Sequence, residues 1–318
     1  RAYCMDRKTL GIMVMKTGLM IGASDGPDGT IEGLVKLAQE AEAQGFESLW
    51  MANIFGLDAI STLAILGHMT SKIELGTAVT PTYPRHPTAI AQQAMTTGAA
   101  SKGRFSLGIG LSHQVVIEGM LGFSYDKPAK HMREYLSILG PLLKGETVSF
   151  AGEQFNVSGV ALDVPGAANV PVLVAALGPV MLKHAGQLAD GTITWMTGPK
   201  TLGSHIIPSI NAGALSAGKP MPKIVAGFPV VLTNDEAGAR EAIGKTLQIY
   251  GRLPSYRAML DKEGVAGPAE LAFAGDEASI RAKIQQLKDV GVTDFTAAIV
   301  ATDEGAYERT QAFLASEI

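Results

Sequence analysis

Apolar positions along this chain fall into two recurring patterns. Short, almost unbroken apolar runs alternate with longer stretches in which apolar residues return every three or four positions. Thr9–Met15 ("TLGIMVM") is a run of the first kind, too short for a helix, and it predicts a strand. A Gly/Asp-rich loop follows ("GASDGPDG"). "TIEGLVKLAQEAEAQG" then carries the helical spacing. Thr30 is placed to cap it, Leu34, Leu37, Ala38 and Ala41 form one apolar stripe, and Gly45 stops it. The alternation continues with "FESLWMA" (strand), "DAISTLAILGHMT" (helix), "KIELGTAV" (strand), "HPTAIAQQAMTTGAAS" (helix) and "RFSLGIG" (strand).

Strands at this spacing, each followed by a helix, imply parallel pairing through right-handed crossovers. Strands this apolar imply a sheet covered on both faces. An open doubly wound sheet and a closed barrel both satisfy these four units. The second half adds a helix over 128–145, a hairpin ("TVSFAGEQFNVSG") turning at Ala151–Gly152, and three strands: "VPVLVAA", "GTITWM" and "KIVAGFPVVL". "PKTLGSHIIPSINAGALSAG" reads as a helical stretch broken by proline. Several helices fill 235–290, and "DFTAAIV" is the last strand. The total is eight strands with crossovers, the number at which a (β/α)8 barrel closes. The fold class predicted is therefore α/β, a TIM barrel with insertions after the fourth and seventh strands.

No linker-like stretch or charge block divides the 318 residues, so 1–318 is read as one domain. Residues 1–8 are read as a disordered start, with Met5 a candidate native first residue. Apolar residues make up 47% of the chain and charged residues 18%, which supports one large core rather than a disordered chain. A net charge of −4 argues against a nucleic-acid surface. One cysteine, Cys4, excludes an internal disulfide and fits a reducing cytoplasm. No apolar run reaches the roughly 20 residues that span a bilayer.

In a barrel, chemistry sits at the C-terminal ends of the strands. The segments expected there are 15–30, 51–58, 78–87, 110–127, 175–179, 195–200, 232–235 and 300–304. They are poor in carboxylates and histidines and rich in small and apolar residues, which suits a flat apolar cofactor better than a hydrolytic water. "AALGPVMLKHAG" offers a phosphate site: Pro179 stands at a first helical position, leaving the N–H groups of Val180, Met181 and Leu182 free. Three other motifs mislead. "GALSAGKP" approximates a phosphate-binding P-loop, but Pro220 replaces the required hydroxyl and the segment ends a helix. "GIGLSH" lacks the third glycine of a dinucleotide fingerprint. "DGPDGT" lacks the acidic spacing of a calcium loop. There is no Cys/His metal cluster and no nucleophile elbow.

The blocks "GFESLW", "IELGTAVTPTYPRHP", "GRFSLGIG", "VPVLVAALGP" and "LADG" occur in the order and at the spacing of the luciferase-like oxidoreductases. The chain resembles that family from about Thr9 to its end, and most of all the branch that uses coenzyme F420. The resemblance implies a non-proline cis peptide at Ala78–Val79 behind the cofactor ring. It implies that Gly110, Leu111, Ser112 and His113 lie beside the ring, and that Ala175, Ala176, Leu177, Gly178, Pro179 and Val180 hold the tail. His113 becomes the leading polar group near the reacting centre. Many F420-dependent dehydrogenases of the family carry an Asp-His pair after the second strand. Here the positions read Asn53 and Ile54. Asn53 keeps a hydrogen-bonding role toward the cofactor, but Ile54 cannot act as a base, so reduction is favoured over alcohol oxidation. Trp50, Trp195 and Lys200 are candidate substrate contacts.

The function expected is an F420-dependent reductase moving hydride between the deazaflavin C5 and a small organic substrate. An FMN-dependent monooxygenase of the same family and a non-catalytic flavin-binding barrel are the alternatives. The resemblance further implies a homodimer supplied with reduced cofactor by an F420-reducing or flavin-reducing enzyme, and the single cysteine leads to the expectation of a cytoplasmic location. Neither nucleic acid nor membrane is an expected partner.

Overall fold

A computed structural model describes residues 15–22 and 29–318. Residues 1–8, the run expected as the opening strand (except Met15) and most of the glycine-rich loop lie outside the described residues. The first described barrel strand is β1, Lys16–Ile21, inside a segment that the sequence pattern assigned to a loop. Its opening Lys-Thr-Gly hides it, since polar residues and glycine do not read as a buried strand. Both have reasons to be there. Lys16 pairs with Glu74 at the barrel's lower rim. A Cβ on Gly18 would stand 2.1 Å from Ser48 Oγ, so only glycine permits the neighbouring strand to approach.

The remaining barrel strands are β2 (Ser48–Met51), β3 (Glu74–Thr77), β4 (Phe105–Gly110), β5 (Val172–Val174), β6 (Gly191–Trp195), β7 (Lys223–Leu232) and β8 (Asp294–Ile299). They pair in parallel in the order β7-β8-β1-β2-β3-β4-β5-β6, and β6 pairs β7 to close the ring. The eight-stranded barrel and both insertions match the pattern read from the sequence. The first insertion holds the helix Pro128–Leu143 and the hairpin Val148–Ala151/Asn156–Val160. The second holds the helices Glu236–Thr246, Pro254–Glu263 and Glu277–Val290. It also adds a short strand, Phe273–Gly275, which pairs with the end of β7. No described helix is long and apolar enough to cross a membrane.

The first crossover helix, Ile31–Gln44, buries Leu34, Leu37, Ala38 and Ala41, with Thr30 accepting from Gly33 N and Gly45 left-handed at φ 95°. The stretch expected to break at Pro208 does not break. Leu202–Ile206 adopts π-helical hydrogen bonding and runs directly into the helix Ile207–Ser216. A wider turn absorbs the donor that proline lacks.

Inside the barrel, Trp50, Leu173, Ile193 and Val225 form a plug, with Met20, Ala78 and Val79 packed on it. Below the plug, Lys223 sits 5.5 Å from the Trp50 ring centroid and pairs with Glu74 and Asp294, each at 3.1 Å. This closes the lower end with paired charge and leaves the upper end to the loops.

The join between β3 and β4 shapes that upper end. Gly76 is opposite Ser106, but Thr80 is opposite Ile109, so β3 carries one residue more than its partner. This is a β-bulge. Thr77 fills the gap in the ladder: its hydroxyl donates to Gly108 O at 2.6 Å and accepts from Gly108 N at 2.9 Å. A Cβ on Gly108 would lie 1.9 Å from Thr77 O, and one on Gly110 would lie 2.6 Å from Val79 Cγ2. The bulge contains the cis peptide Ala78–Val79, as the family resemblance implied.

Two consequences can be measured. Thr77→Val strands a buried N–H and C=O on Gly108, and should cost about 2–4 kcal/mol in denaturant unfolding. Gly108→Ala forces the bulge apart, and should cost about 3 kcal/mol or more. Losses under about 0.5 kcal/mol for both would show that the bulge is not held this way.

Away from the barrel mouth, Glu42 accepts from the N–H groups of Ser71, Lys72 and Ile73, tying the first helix to the start of β3. Burial alone would raise its pKa, but these donors outweigh burial and push it down to about 2. A depressed carboxyl stabilises the fold fully above its ordinary pKa and loses that contribution as pH falls. Glu42→Gln should therefore cost about 1 kcal/mol at pH 7, since the site is largely solvated. The gap to the parent protein should close as pH drops from about 4.5 toward 2. A gap independent of pH would refute the assignment.

Candidate functional site

A cavity of about 280 Å³ opens at the C-terminal end of the barrel. Its floor is the top of the barrel plug: Met20 from β1, Ile193 from β6, and Ala78 and Val79 from the bulge. Gly110, Leu111, Ser112 and His113 form one wall, Ala175 to Gly178 and Met181 a second, and Thr194 and Trp195 a third. Ser255 and Tyr256 reach in from the second insertion, and Tyr125 from the first. The wall is apolar apart from hydroxyls, one imidazole and backbone. No lysine, arginine or carboxylate is among the described residues that line it.

Of the residues singled out in the sequence, Ala78, Val79, Gly110, Leu111, Ser112, His113, Ala175, Ala176, Leu177, Gly178 and Trp195 meet in this cavity. Others stand elsewhere. Trp50 is a correction: it points into the barrel, is fully buried, and donates from Nε1 to Ser48 Oγ at 3.0 Å, so it supports the floor from below. Gly76 makes room for it, because a Cβ there would stand 2.2 Å from the indole. Asn53 lies outside the cavity wall, and its Oδ1 accepts from Ala59 N at 3.0 Å at the start of the next helix. Lys200 is exposed and its Nζ reaches Glu263 O at 3.5 Å, away from the cavity. Val180 faces solvent.

Sequence reading missed Met20, Tyr125, Ile193, Thr194, Ser255 and Tyr256, and gave Met181 only as a backbone donor. Strand alternation could have found Ile193 once Gly191–Trp195 was known to be a barrel strand. Nothing local announces Tyr125, Ser255 or Tyr256, which arrive from insertions.

His113 is held by its loop. Ser112 is left-handed at φ 58°, and the Tyr125 hydroxyl donates to Ser112 O at 3.2 Å. The His113 ring lies 5.9 Å from that of Tyr256. Burial lowers the pKa of His113 below its ordinary value, so the imidazole is neutral at pH 7. Burial raises the phenols of Tyr125 and Tyr256, so both remain protonated hydrogen-bond donors. The site therefore offers neutral donors and no carboxylate base.

Beside the cavity, the helix Pro179–Leu188 begins at Gly178 with no side-chain cap and no acidic residue in its first turn. Leu182 N is already bonded to Gly178 O at 2.9 Å, so two of the three N–H groups expected there, those of Val180 and Met181, remain open. Such an end attracts an anion through its free donors and the helix dipole. His205, carried on the π-helical segment, donates from Nε2 to Leu177 O at 2.8 Å and fixes the strand end that leads into it.

The roof depends on Glu263. Its carboxylate accepts from Lys200 N, Thr201 N and Thr201 Oγ1, at 3.2, 2.7 and 2.6 Å. This pins the helix Pro254–Glu263, which carries Ser255 and Tyr256, to the segment that follows β6. Glu263→Ala should raise amide exchange across 254–263 by about tenfold or more while the barrel strands keep their protection. Unchanged exchange in that helix would rule out the tether.

The luciferase-like monooxygenase family profile matches residues 12–316. A 5,10-methylenetetrahydromethanopterin reductase of Methanolobus tindarius is 27% identical over 300 residues, spanning 85% of this chain and 91% of the relative. An F420-dependent glucose-6-phosphate dehydrogenase of Kineococcus radiotolerans is 30% identical over 261 residues, spanning 78% and 76%. The solved coenzyme F420-dependent tetrahydromethanopterin reductase of Methanopyrus kandleri superposes with a TM-score of 0.80 at 22% identity, covering 96% of this chain and 98% of that one. At that identity the superposition speaks for the fold.

Proposed function

The chain belongs to the luciferase-like monooxygenase family, and we propose that it is an F420-dependent oxidoreductase that reduces a small organic substrate. The observation that carries the reading is the pairing of a shallow apolar slot with an uncapped helix start beside it. A volume of about 280 Å³ is at the small end for ligand sites, so it suits a ring system whose tail leaves the slot. Ala78 and Val79 would back the ring, with Leu111 and Leu177 at its edges. The open N–H groups of Val180 and Met181 would hold the phosphate of the tail. The F420-dependent glucose-6-phosphate dehydrogenase relative supports this choice of cofactor.

When bound, the deazaflavin supplies a hydride-transfer centre at C5. The protein's own part is exclusion of water, orientation and proton supply. The apolar floor and walls exclude water. Neutral His113 and the protonated phenol of Tyr256 would donate hydrogen bonds to a substrate oxygen or nitrogen, polarising a C=O or C=N toward reduction, while the Tyr125 hydroxyl is engaged by Ser112 O. No carboxylate among the described wall residues is placed to take a proton from an alcohol, and Ile54, at the position where the family resemblance implied a histidine, carries no base. Asn53 contributes by holding the helix start at Ala59. Supply of reduced cofactor falls to a separate F420-reducing enzyme, and a homodimer is the assembly proposed.

The test uses the helix end. Gly178 has an ordinary φ of −81°, and nothing lies within 4 Å of where its Cβ would stand. Gly178→Asp should cap the helix and repel an incoming phosphate. Unfolding stability should be unchanged or rise by a few tenths of a kcal/mol, while the F420 dissociation constant rises about tenfold. The parent protein should bind reduced F420 at least about tenfold more tightly than reduced FMN, a gap of about 1.4 kcal/mol. Tighter FMN binding would move the protein to the flavin monooxygenases. Failure to bind either would leave a barrel with a different ligand.

A further inference from the structure

The helix Ile207–Ser216 lies against the helix Pro179–Leu188 at backbone contact. A Cβ on Gly186 would stand 2.3 Å from Ile210 O, and one on Gly213 would stand 2.8 Å from Lys183 O. Near their C-terminal ends, Gln187 Nε2 donates to Ser216 Oγ at 3.1 Å. Helices packed this closely cannot shift against one another without a clash. His205 comes from the π-helical segment just before this contact, and its partner is Leu177 O at 2.8 Å. A carbonyl oxygen can only accept, so Nε2 carries the proton in that bond.

That bond falls on the one peptide whose orientation is otherwise loose. Gly178 is the N-cap residue, with φ −81° and ψ 154°, and no side chain caps the helix. Pro179 holds the ψ of the residue before it in the extended range. It does not fix φ, and glycine adopts either sign of φ at little cost. Rotation about that φ swings the Leu177–Gly178 peptide. His205 grips the carbonyl of this peptide and so removes the freedom that proline leaves. Leu177–Gly178 is trans, since Ala78–Val79 is the only cis bond among the described residues, and the C=O and N–H of a trans peptide point opposite ways. Leu177 and Gly178 line the cavity, whereas His205 does not. Among the described residues Gly178 N–H has no hydrogen-bond partner.

We propose that His205 is a positioning residue for the anion end of the helix Pro179–Leu188: it locks the Leu177–Gly178 peptide so that Gly178 N–H faces the cavity and joins those of Val180 and Met181 as a third donor. The proposal rests on the reading that a phosphate-tailed deazaflavin binds here. Three backbone donors serve the oxygens of one phosphate group, and the absence of a capping side chain leaves them to the ligand. A glycine N-cap keeps the entrance open. The histidine behind it supplies the rigidity that glycine gives up.

Two kinds of titration test it. Inorganic phosphate is added to the cofactor-free protein while amide shifts are followed by NMR. Dissociation constants are then measured for F420 and for the same deazaflavin ending in a free ribityl hydroxyl. In the parent protein the amides of Gly178, Val180 and Met181 should shift together and saturate with phosphate. His205→Leu removes the donor and should weaken F420 about tenfold, while the phosphate-free deazaflavin changes by less than about twofold. His205→Gln keeps an N–H donor and should recover F420 binding to within about threefold of the parent protein. Shifts at Val180 and Met181 without one at Gly178 overturn the proposal, and that measurement needs no variant. So does an F420 dissociation constant that His205→Leu leaves unchanged, and so does a His205→Gln protein that binds F420 no better than His205→Leu. Equal weakening of both deazaflavins by His205→Leu also overturns it, because a general loss of packing does not single out the phosphate. A parent protein that binds the two deazaflavins alike and shifts none of the three amides overturns the anion end itself, and the proposal with it.

Discussion

The Thr77 hydroxyl, held between the N–H and the C=O of Gly108, is the joint on which the upper half of this barrel depends. A parallel ladder cannot absorb one extra residue without leaving backbone groups unpaired. One side chain of the right length pairs both of them, and two glycines on the facing strand give the displaced backbone room. The result is a stretch of main chain turned to face the barrel mouth. Ala78 and Val79 contribute a flat apolar surface there because the ladder no longer dictates where they point.

That surface is stiff because of what lies below it. Trp50 and its neighbours fill the barrel interior, and a lysine between two carboxylates closes the base. The lower rim thus spends its charges on one another, and no charged side chain is among the described residues that line the upper cavity. Residues of the same strand serve opposite ends: Lys223 begins β7 in an ion-pair cluster, and the strand finishes in buried Val230 and Val231.

The absence of charged side chains from the described lining of the cavity sets its chemistry. Burial lowers the pKa of His113 and raises those of the Tyr125 and Tyr256 phenols, so near the cavity the phenols stay protonated and the neutral imidazole offers one donor and one acceptor nitrogen. The electrostatic feature left to bind an anion is a helix end that no side chain caps. Two insertions supply the roof, and one carboxylate, Glu263, fixes the larger of them to the barrel. Tether and catalytic mouth are therefore coupled through the segment that follows β6.

Periodicity was sufficient for the barrel because strands buried on both faces are apolar throughout, and their helices carry one stripe each. The cap at Thr30, the stop at Gly45 and the helix start at Pro179 were legible for the same reason: each is a local interaction within a few residues. The Ala78–Val79 cis bond came from family resemblance and the structure contains it; His113, implied in the same way beside a cofactor ring, lines the cavity. β1 was misplaced because a strand opening on Lys-Thr-Gly owes its burial to partners far away in the chain. Trp50 and Trp195 look alike in sequence, each near a strand end. Their different places in the barrel put Trp50 beneath the floor and Trp195 in the wall. Asn53 and Lys200 looked equally available, but a backbone amide and a neighbouring helix engage them. By itself the sequence determined which segments become strands and helices, because hydrophobic period and capping act over short distances. The tertiary structure alone decided which side chains share the cavity, because that depends on inward or outward orientation and on insertions meeting from distant parts of the chain.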